Sequence, residues 1–521
     1  MAGKRFWLVP SMLFALAAGN VAAAADPARP AMSARVDQLL AEHWAHVGVK
    51  PAPLATDAEF LRRVHLDLTG IIPNVGEVRD FLADIRPDKR ARLIESLLAR
   101  PNHAAHFANV WRAIMLPSDA NVQQFGGSGG LESWLQGKFV ENTPYDKLVT
   151  ELLTSSGNAG QPGPTLFFTS LQNKPEELAA STSRIFLGVQ ISCAQCHDHP
   201  FDHWKKEDFW GYAAFFARLT KPVQGQAFVN QVADADTGEV SLPGSSEPVV
   251  PRFLGGETAP SEMAANGRRT ALAQWFTGKQ NPYFARATVN RVWAHLFGRG
   301  LVDPVDDLGR HNQPSHPELL DELARYFVDS GYDLRLLIRT LTNTEAYQLS
   351  SEMPISGDTP PELFARMAIK SLNAEQIYDC LKEAMRQREA VNPQAQFGQF
   401  GRAFDQNRQL FLSRFEAPTQ GATEFQAGIP QALTLMNGQM MAQATDLGQS
   451  DLLNALDAPF FSDSERVEIL FMSTLSRAPA EPERAQFMRY VETGGPAKDR
   501  KKALGDVLWA LLNSAEFILN H

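Results

Sequence analysis

The chain has 521 residues, 44% hydrophobic and 21% charged, and its 49 Lys plus Arg against 59 Asp plus Glu give a formal net charge of −10. That length suggests two to four domains at about 100–200 residues each, and the composition excludes a disordered, collagen-like or disulfide-stapled chain. An acidic balance with no basic cluster argues against a nucleic-acid partner, and 3 cysteines cannot staple such a chain, so any special role they have is local.

The first element in chain order is a targeting segment. Lys4 and Arg5 precede an apolar run from Phe6 to Ala18, and Ala23-Ala24-Ala25 supplies a small-residue cleavage site. This pattern predicts a signal peptide spanning 1–25, cleaved near Ala25, and hence a periplasmic or extracellular protein. The apolar run is too short and Ala-rich for a comfortable span of roughly 20 residues. Nothing after residue 30 is long and apolar enough to be a transmembrane segment.

The rest of the chain reads as mainly α. Thr56 with Glu59, and Asn74 with Glu77, are capping-box patterns ahead of apolar periodicity. Further helices are expected from about Asp88, from Asn102 as a cap, from Thr143-Pro144, and from Lys174-Pro175 to about Gly188. Between about Lys221 and Gly256, Gly, Pro, Ser and short β-branched runs replace the helical period, with a turn expected at Asp236-Thr237-Gly238. Helices resume at about Pro282–Phe297 and at Ser315, where Glu318 completes a capping box. Residues 394–408 read as a loop and Gln409 to Phe415 as a strand. Leu341-Thr342-Asn343-Thr344 with Tyr347 is echoed by Leu511-Leu512-Asn513-Ser514 with Phe517, too short to establish a repeat. The expected architecture is two helical domains, 26–220 and 263–521, joined by a linker at 221–262 with minor β structure.

One motif carries chemistry. Cys193-Ala194-Gln195-Cys196-His197 matches the C-x-x-C-H pattern of c-type haem attachment. Two thiols at this spacing can form thioethers with the two vinyl groups of one haem, and the adjacent imidazole can bind the iron axially. Attachment of this kind follows export in bacteria, which agrees with the signal peptide. The expected cofactor is haem c, held by Cys193, Cys196 and His197, in an electron-transfer protein serving an exported redox partner. Other readings stay open. Cys193, Cys196, His197 and His199 suit zinc or another divalent metal, although no second C-x-x-C pair accompanies them. The two cysteines also suit a redox disulfide in a cell-envelope scaffold. The aromatic run Phe201, Trp204, Phe209, Trp210, Tyr212, Phe215 and Phe216 suits either a haem wall or a domain core, with Phe209, Tyr212 and Phe216 on one helical face. No sixth iron ligand stands out among His65, His103, His106, His295 and Met115.

The segment from Cys193 to Phe201, with Trp204, Asp208-Phe209 and Ala214-Phe215-Phe216, resembles the planctomycete cytochrome-C-associated domain of unknown function. Phe60-Leu61-Arg62-Arg63 and Leu66-Asp67-Leu68-Thr69-Gly70 belong to the same resemblance. The second half resembles that domain's usual partner, through Asn281-Pro282-Tyr283-Phe284-Ala285-Arg286, Val289-Asn290-Arg291-Val292-Trp293, Asp306-Asp307, Pro314-Ser315-His316-Pro317 and the ending from Trp509 to Phe517. The resemblance covers most of 35–521 and implies an exported, haem-linked protein with no established reaction. Asp303, Asp306, Asp307, His311 and His316 form an acidic, imidazole-rich stretch. It reads as a metal or general-acid site, or, as we favour, as loop turns and caps, with Asn290, Arg291 and His295 in an internal network. Cys380 reads as a buried free thiol.

Overall fold

In a computed structural model of the chain, the described residues are 30–116, 129–158, 163–220, 231–260, 267–352, 359–386, 406–415, 436, 438–446 and 449–521. The expected signal peptide, and the expected loop at 394–408 apart from its last three residues, lie outside them. The described fold is mainly α, with two small antiparallel two-stranded sheets that pair 157–158 with 231–232 and 370–371 with 519–520.

The first half is built from α1 (Ala31–Val47), α2 (Asp57–Thr69), α3 (Val75–Ala83), α4 (Lys89–Leu98), α5 (Pro101–Met115), α6 (Gly129–Val140), α7 (Tyr145–Thr154), α8 (Thr165–Ser170), α9 (Pro175–Thr182) and α10 (Lys206–Ala213). Local signals set several ends. The Asn74 side chain accepts from the Glu77 amide at 3.1 Å while Glu77 accepts from the Asn74 amide at 2.9 Å, a closed capping box. Thr56 caps α2 through the Glu59 amide, but the Glu59 carboxylate turns to Arg63, Ser350 and Ser351 instead of closing the box. α5 begins at Pro101 and α7 just after Pro144, so neither Asn102 nor Thr143 is the N-cap expected of it. Pro101 is the first residue of α5, where proline's φ suits the helix and its missing amide would go unused, whereas Pro144, with ψ 135°, is itself the N-cap of α7. α9 runs into a π turn at Ser183–Leu187 and stops at Gly188, whose φ of +64° closes the helix.

The second half has long helices at Arg268–Thr277, Phe284–Phe297, Pro317–Asp329, Leu334–Thr342, Ala374–Ala384, Asp463–Leu475, Glu481–Thr493 and Arg500–Leu512. Ser315 does not cap the helix at Pro317. Its hydroxyl donates to the Leu301 carbonyl at 3.2 Å, and His316 takes the cap position. Gln406–Phe415 is a helix rather than the strand expected at 409–415. It packs on the helix Ala374–Ala384, with Phe411 and Tyr378 ring centroids 5.3 Å apart, so a tertiary partner overrides a short apolar alternation. The region between the halves has the expected minor β character, in the strand 231–232 and the bridges Leu219 with Asp234, Ser241 with Pro248 and Arg252 with Thr258.

The buried apolar side chains form one continuous cluster running from Val36 to Phe517. α7 lies along Arg268–Thr277, and α2 sits at the centre with Phe60, Leu61, Val64, Leu66 and Leu68 sealed from solvent. A helix buried all round must also bury its polar residues, and these then need partners. Arg62 and Arg63 find them in the second half. Arg62 donates to the carbonyls of Thr474 (2.9 Å), Glu516 (3.0 Å) and Phe517 (2.8 Å). Arg63 donates to those of Tyr347 (2.8 Å) and Leu349 (2.8 Å) and pairs with Glu59.

One contact of each arginine, to Phe517 and to Tyr347, falls on an echoed segment. In each, an Asn side chain donates back to the preceding turn: Asn343 to Arg339 (2.8 Å) and Asn513 to Trp509 (2.9 Å). In each, a hydroxyl then accepts from an aromatic residue's amide: Thr344 from Tyr347 (3.1 Å) and Ser514 from Phe517 (3.2 Å). Tyr347 and Phe517 are both fully buried. The echo is a recurring helix-end unit, and consecutive arginines of α2 each grip one copy.

Candidate functional site

The Cys-x-x-Cys-His segment follows Gly188. Val189 and Ile191 are buried and anchor a 3-10 turn at Ser192–Gln195, closed by the Ala194 amide donating to Ile191 at 2.9 Å. With Ala194 turned inward, Cys193 and Cys196 face outward as free, exposed thiols. Trp210 on α10 pins the turn from below, its indole N–H donating to the Gln195 carbonyl at 3.0 Å.

The two imidazoles that follow differ in which nitrogen is free. His197 is exposed, and its Nδ1 lies 2.8 Å from the Asp198 carbonyl oxygen. A carbonyl only accepts, so Nδ1 carries the proton and Nε2 keeps its lone pair. At His199 the Nδ1 accepts instead, from the amides of Asp202 (3.0 Å) and Phe201 (3.3 Å), which puts the proton of the neutral ring on Nε2. The loop from 198 to 204 is closed by the His199 amide donating to Trp204 (2.8 Å), and Asp198 accepts from the Lys206 amide (3.2 Å). Phe201 at its tip is 77% exposed. Phe209, Tyr212, Phe215 and Phe216 are fully or almost fully buried, with the Tyr212 hydroxyl 3.1 Å from Thr182 Oγ1. They form domain core beneath the turn, and the exposed thiols stand on the other side of it.

The acidic, imidazole-rich stretch divides among separate partners. Asp303 pairs with Arg299 at 3.4 Å, Asp306 with Arg184 at 2.8 Å and with Arg291, and Asp307 with His311 at 3.0 Å. His316 lies elsewhere, its ring 4.4 Å from that of His43 on α1, and burial pushes its pKa down to about 4. Asn290 is fully engaged, donating to the Val302 carbonyl at 2.9 Å and accepting from the Val302 amide at 2.9 Å. Among the described residues, no three His, Cys, Asp or Glu side chains converge as a metal-binding group.

His103, His106 and His295 gather in the core with Phe107, the rings of His106 and His295 5.6 Å apart. Burial lowers the pKa of each, and of His65, with His65 and His103 near 4. Beside them lies a polar centre the sequence did not reveal. The Asp67 carboxylate accepts from Lys370 (2.6 Å), Asn520 (2.7 Å) and the Tyr347 hydroxyl (2.8 Å). Its members come from positions up to 453 residues apart, so no local spacing could signal them. Cys380 is buried as expected, and desolvation pushes its pKa up to about 12.

The PSCyt2 family model, described as a protein of unknown function (DUF1549), matches residues 35–221. The PSD1 family model, described as a protein of unknown function (DUF1553), matches residues 268–409. No curated protein and no solved structure matches the chain. No helix among the described residues is long and apolar enough to cross a membrane. The Cys193–His197 segment thus lies in the first matched region and the Asp303–His316 stretch in the second, and the chain is a fusion of a PSCyt2 domain with a PSD1 domain.

Proposed function

We propose that the chain is an exported electron-transfer protein carrying one c-type haem on Cys193 and Cys196, with His197 as the proximal ligand. The observation that carries this reading is the donor set on one short turn: two free, outward-facing thiols and an imidazole whose Nε2 lone pair is unengaged. Attachment needs no oxidant. The thiols of Cys193 and Cys196 would hold the group as thioethers, each S–H replaced by a C–S bond with its hydrogen passing to the other vinyl carbon. The group, once bound, supplies one-electron redox chemistry. The protein's part is to present the thiols, and to fix the ring of His197 through the Asp198 carbonyl, the outer contact a metal-binding imidazole commonly has. Cys193, Cys196 and His197 would hold the group, and the buried Phe209, Tyr212, Phe215 and Phe216 are already packed as core beneath the turn. The non-haem metal reading has less support, since His199 turns a protonated nitrogen outward and its Nδ1 serves the backbone.

The test is the visible spectrum and intact mass of the full-length protein exported from a haem-attaching host. A Soret band, one added haem mass, and loss of colour in Cys193→Ala are expected. A colourless protein of apo mass refutes the haem reading. Zinc in that protein would favour the metal site, and neither haem nor metal would favour a redox disulfide in a scaffold.

A further inference from the structure

The loop that follows His197 has a buried carboxylate in an otherwise exposed setting. The Asp202 side chain is 4% exposed, while those of His203 and His311 beside it are each 38% exposed. Its two oxygens serve different halves of the chain. Oδ1 accepts from the His203 amide (2.7 Å) and from His203 Nδ1 (2.5 Å). Oδ2 faces the second half, accepting from the Arg310 amide at 3.4 Å with His311 Nδ1 3.9 Å away. On its far side, the His311 ring meets Asp307 through Nε2 at 3.0 Å. The result is a line of alternating carboxylates and imidazoles, Asp307, His311, Asp202 and His203, crossing from the PSD1 domain into the PSCyt2 domain.

The second-half side of this line is braced. Asn312 donates its amide to the carbonyls of Asp307 (3.0 Å) and Asp303 (3.2 Å). The Leu308 amide donates to Gly188 at 2.7 Å, at the point where the chain enters the cysteine turn. Gly309 makes the approach possible, because a Cβ there would sit 2.8 Å from Asp202 Oδ2 and 2.6 Å from the His311 ring. On the first-half side, the amide of Asp202 donates to His199 Nδ1, which carries the restraint back toward His197.

We propose that His311 and Asp307 are positioning residues for the Cys193-Cys196-His197 site: they seat the Asp202 carboxylate and so hold the loop behind His197. The PSD1 domain completes a site whose donors all lie in the PSCyt2 domain, which gives the fusion a chemical reason. This inference rests on the haem reading for its purpose, and its test separates the two.

The test uses the full-length protein and amide hydrogen exchange. In His311→Ala, the amides of Asp202 and His203 exchange about tenfold faster, as expected when a local clasp opens without global unfolding, while those of Ala214 and Phe216 keep their rates. In haem-loaded protein the same variant shifts the midpoint potential, and His311→Gln, whose amide still donates to a carboxylate, restores part of the shift. If His311→Ala does not fold, Asp307→Ala, which leaves the ring in place, carries the same test. Wild-type exchange at Asp202 and His203, or altered exchange with an unaltered potential, overturns the proposal. A colourless wild-type protein overturns the haem reading alone, and exchange then decides the positioning role.

Discussion

Arg62→Met removes a buried fork and leaves its surroundings nearly filled. Arg62 is 1% exposed and donates to four main-chain carbonyls, those of Thr474, Glu516, Phe517 and, at 3.5 Å, Leu519, with no carboxylate among those partners. Each buried acceptor left without a donor costs about 1–3 kcal/mol. Removing a buried guanidinium also recovers its desolvation penalty, which offsets part of that loss. The net expectation is about 2–4 kcal/mol, a large share of the roughly 5–15 kcal/mol by which native proteins are stable. Urea unfolding of the full-length protein measures the total, and amide exchange at 514–520 locates it. The variant should unfold at lower urea and exchange faster there, with Arg62→Lys intermediate because an ammonium cannot span the same acceptors. A change under about 0.5 kcal/mol with unaltered exchange at 514–520 would refute the claim that Arg62 holds the C-terminal segment.

Other expectations follow from neighbouring features. Asp67→Ala leaves the buried ammonium of Lys370 with the His295 and Leu296 carbonyls but no counter-charge and should cost about 3–5 kcal/mol by chemical denaturation, whereas a double variant with Lys370→Met should recover part of it. Gly300→Ala places a Cβ 2.2 Å from the Val302 carbonyl and 2.9 Å from Asn290 Oδ1, so it should lower the melting temperature, and a neutral result would mean the loop yields freely. His65 and His103 have folded pKa values near 4. The unfolded state therefore binds more protons as pH falls below about 6.5. Stability is full above that pH and should fall toward pH 4 by up to about 1.4 kcal/mol per pH unit for each histidine. Denaturation at pH 7 and pH 5 checks this, and His103→Gln should flatten the dependence. Ser514→Ala removes a cap from the second helix-end unit and should cost about 1 kcal/mol, seen as a lowered urea midpoint.

The legible part of this protein was its local chemistry. The capping box at Asn74 and the stop at Gly188 could be read because each needs only a few adjacent residues. The segment at 409–415 could not, since the neighbour that makes it a helix lies some thirty positions earlier. The cysteine motif was visible from spacing alone. Which ring nitrogen of His197 and of His199 meets the backbone was not, because the spacing does not fix it. His311 stands out in the sequence within an acidic, imidazole-rich stretch, but its meeting with Asp202 depends on how two domains dock.

Consecutive arginines in α2 have a consequence for the order of assembly. The helix is made early in the chain, yet the carbonyls that Arg62 and Arg63 require lie 284 to 457 positions later. Until those arrive, Arg62 lacks the carbonyls it serves and Arg63 keeps only Glu59 on its own helix, and the central helix cannot settle. Such distant closure slows folding. A fragment ending near residue 221, though it spans the whole PSCyt2 match, would hold both arginines without their acceptors. The boundary between the two families in sequence is therefore not a boundary in folding, and residues from Thr474 to Phe517 are the ones that let α2 finish.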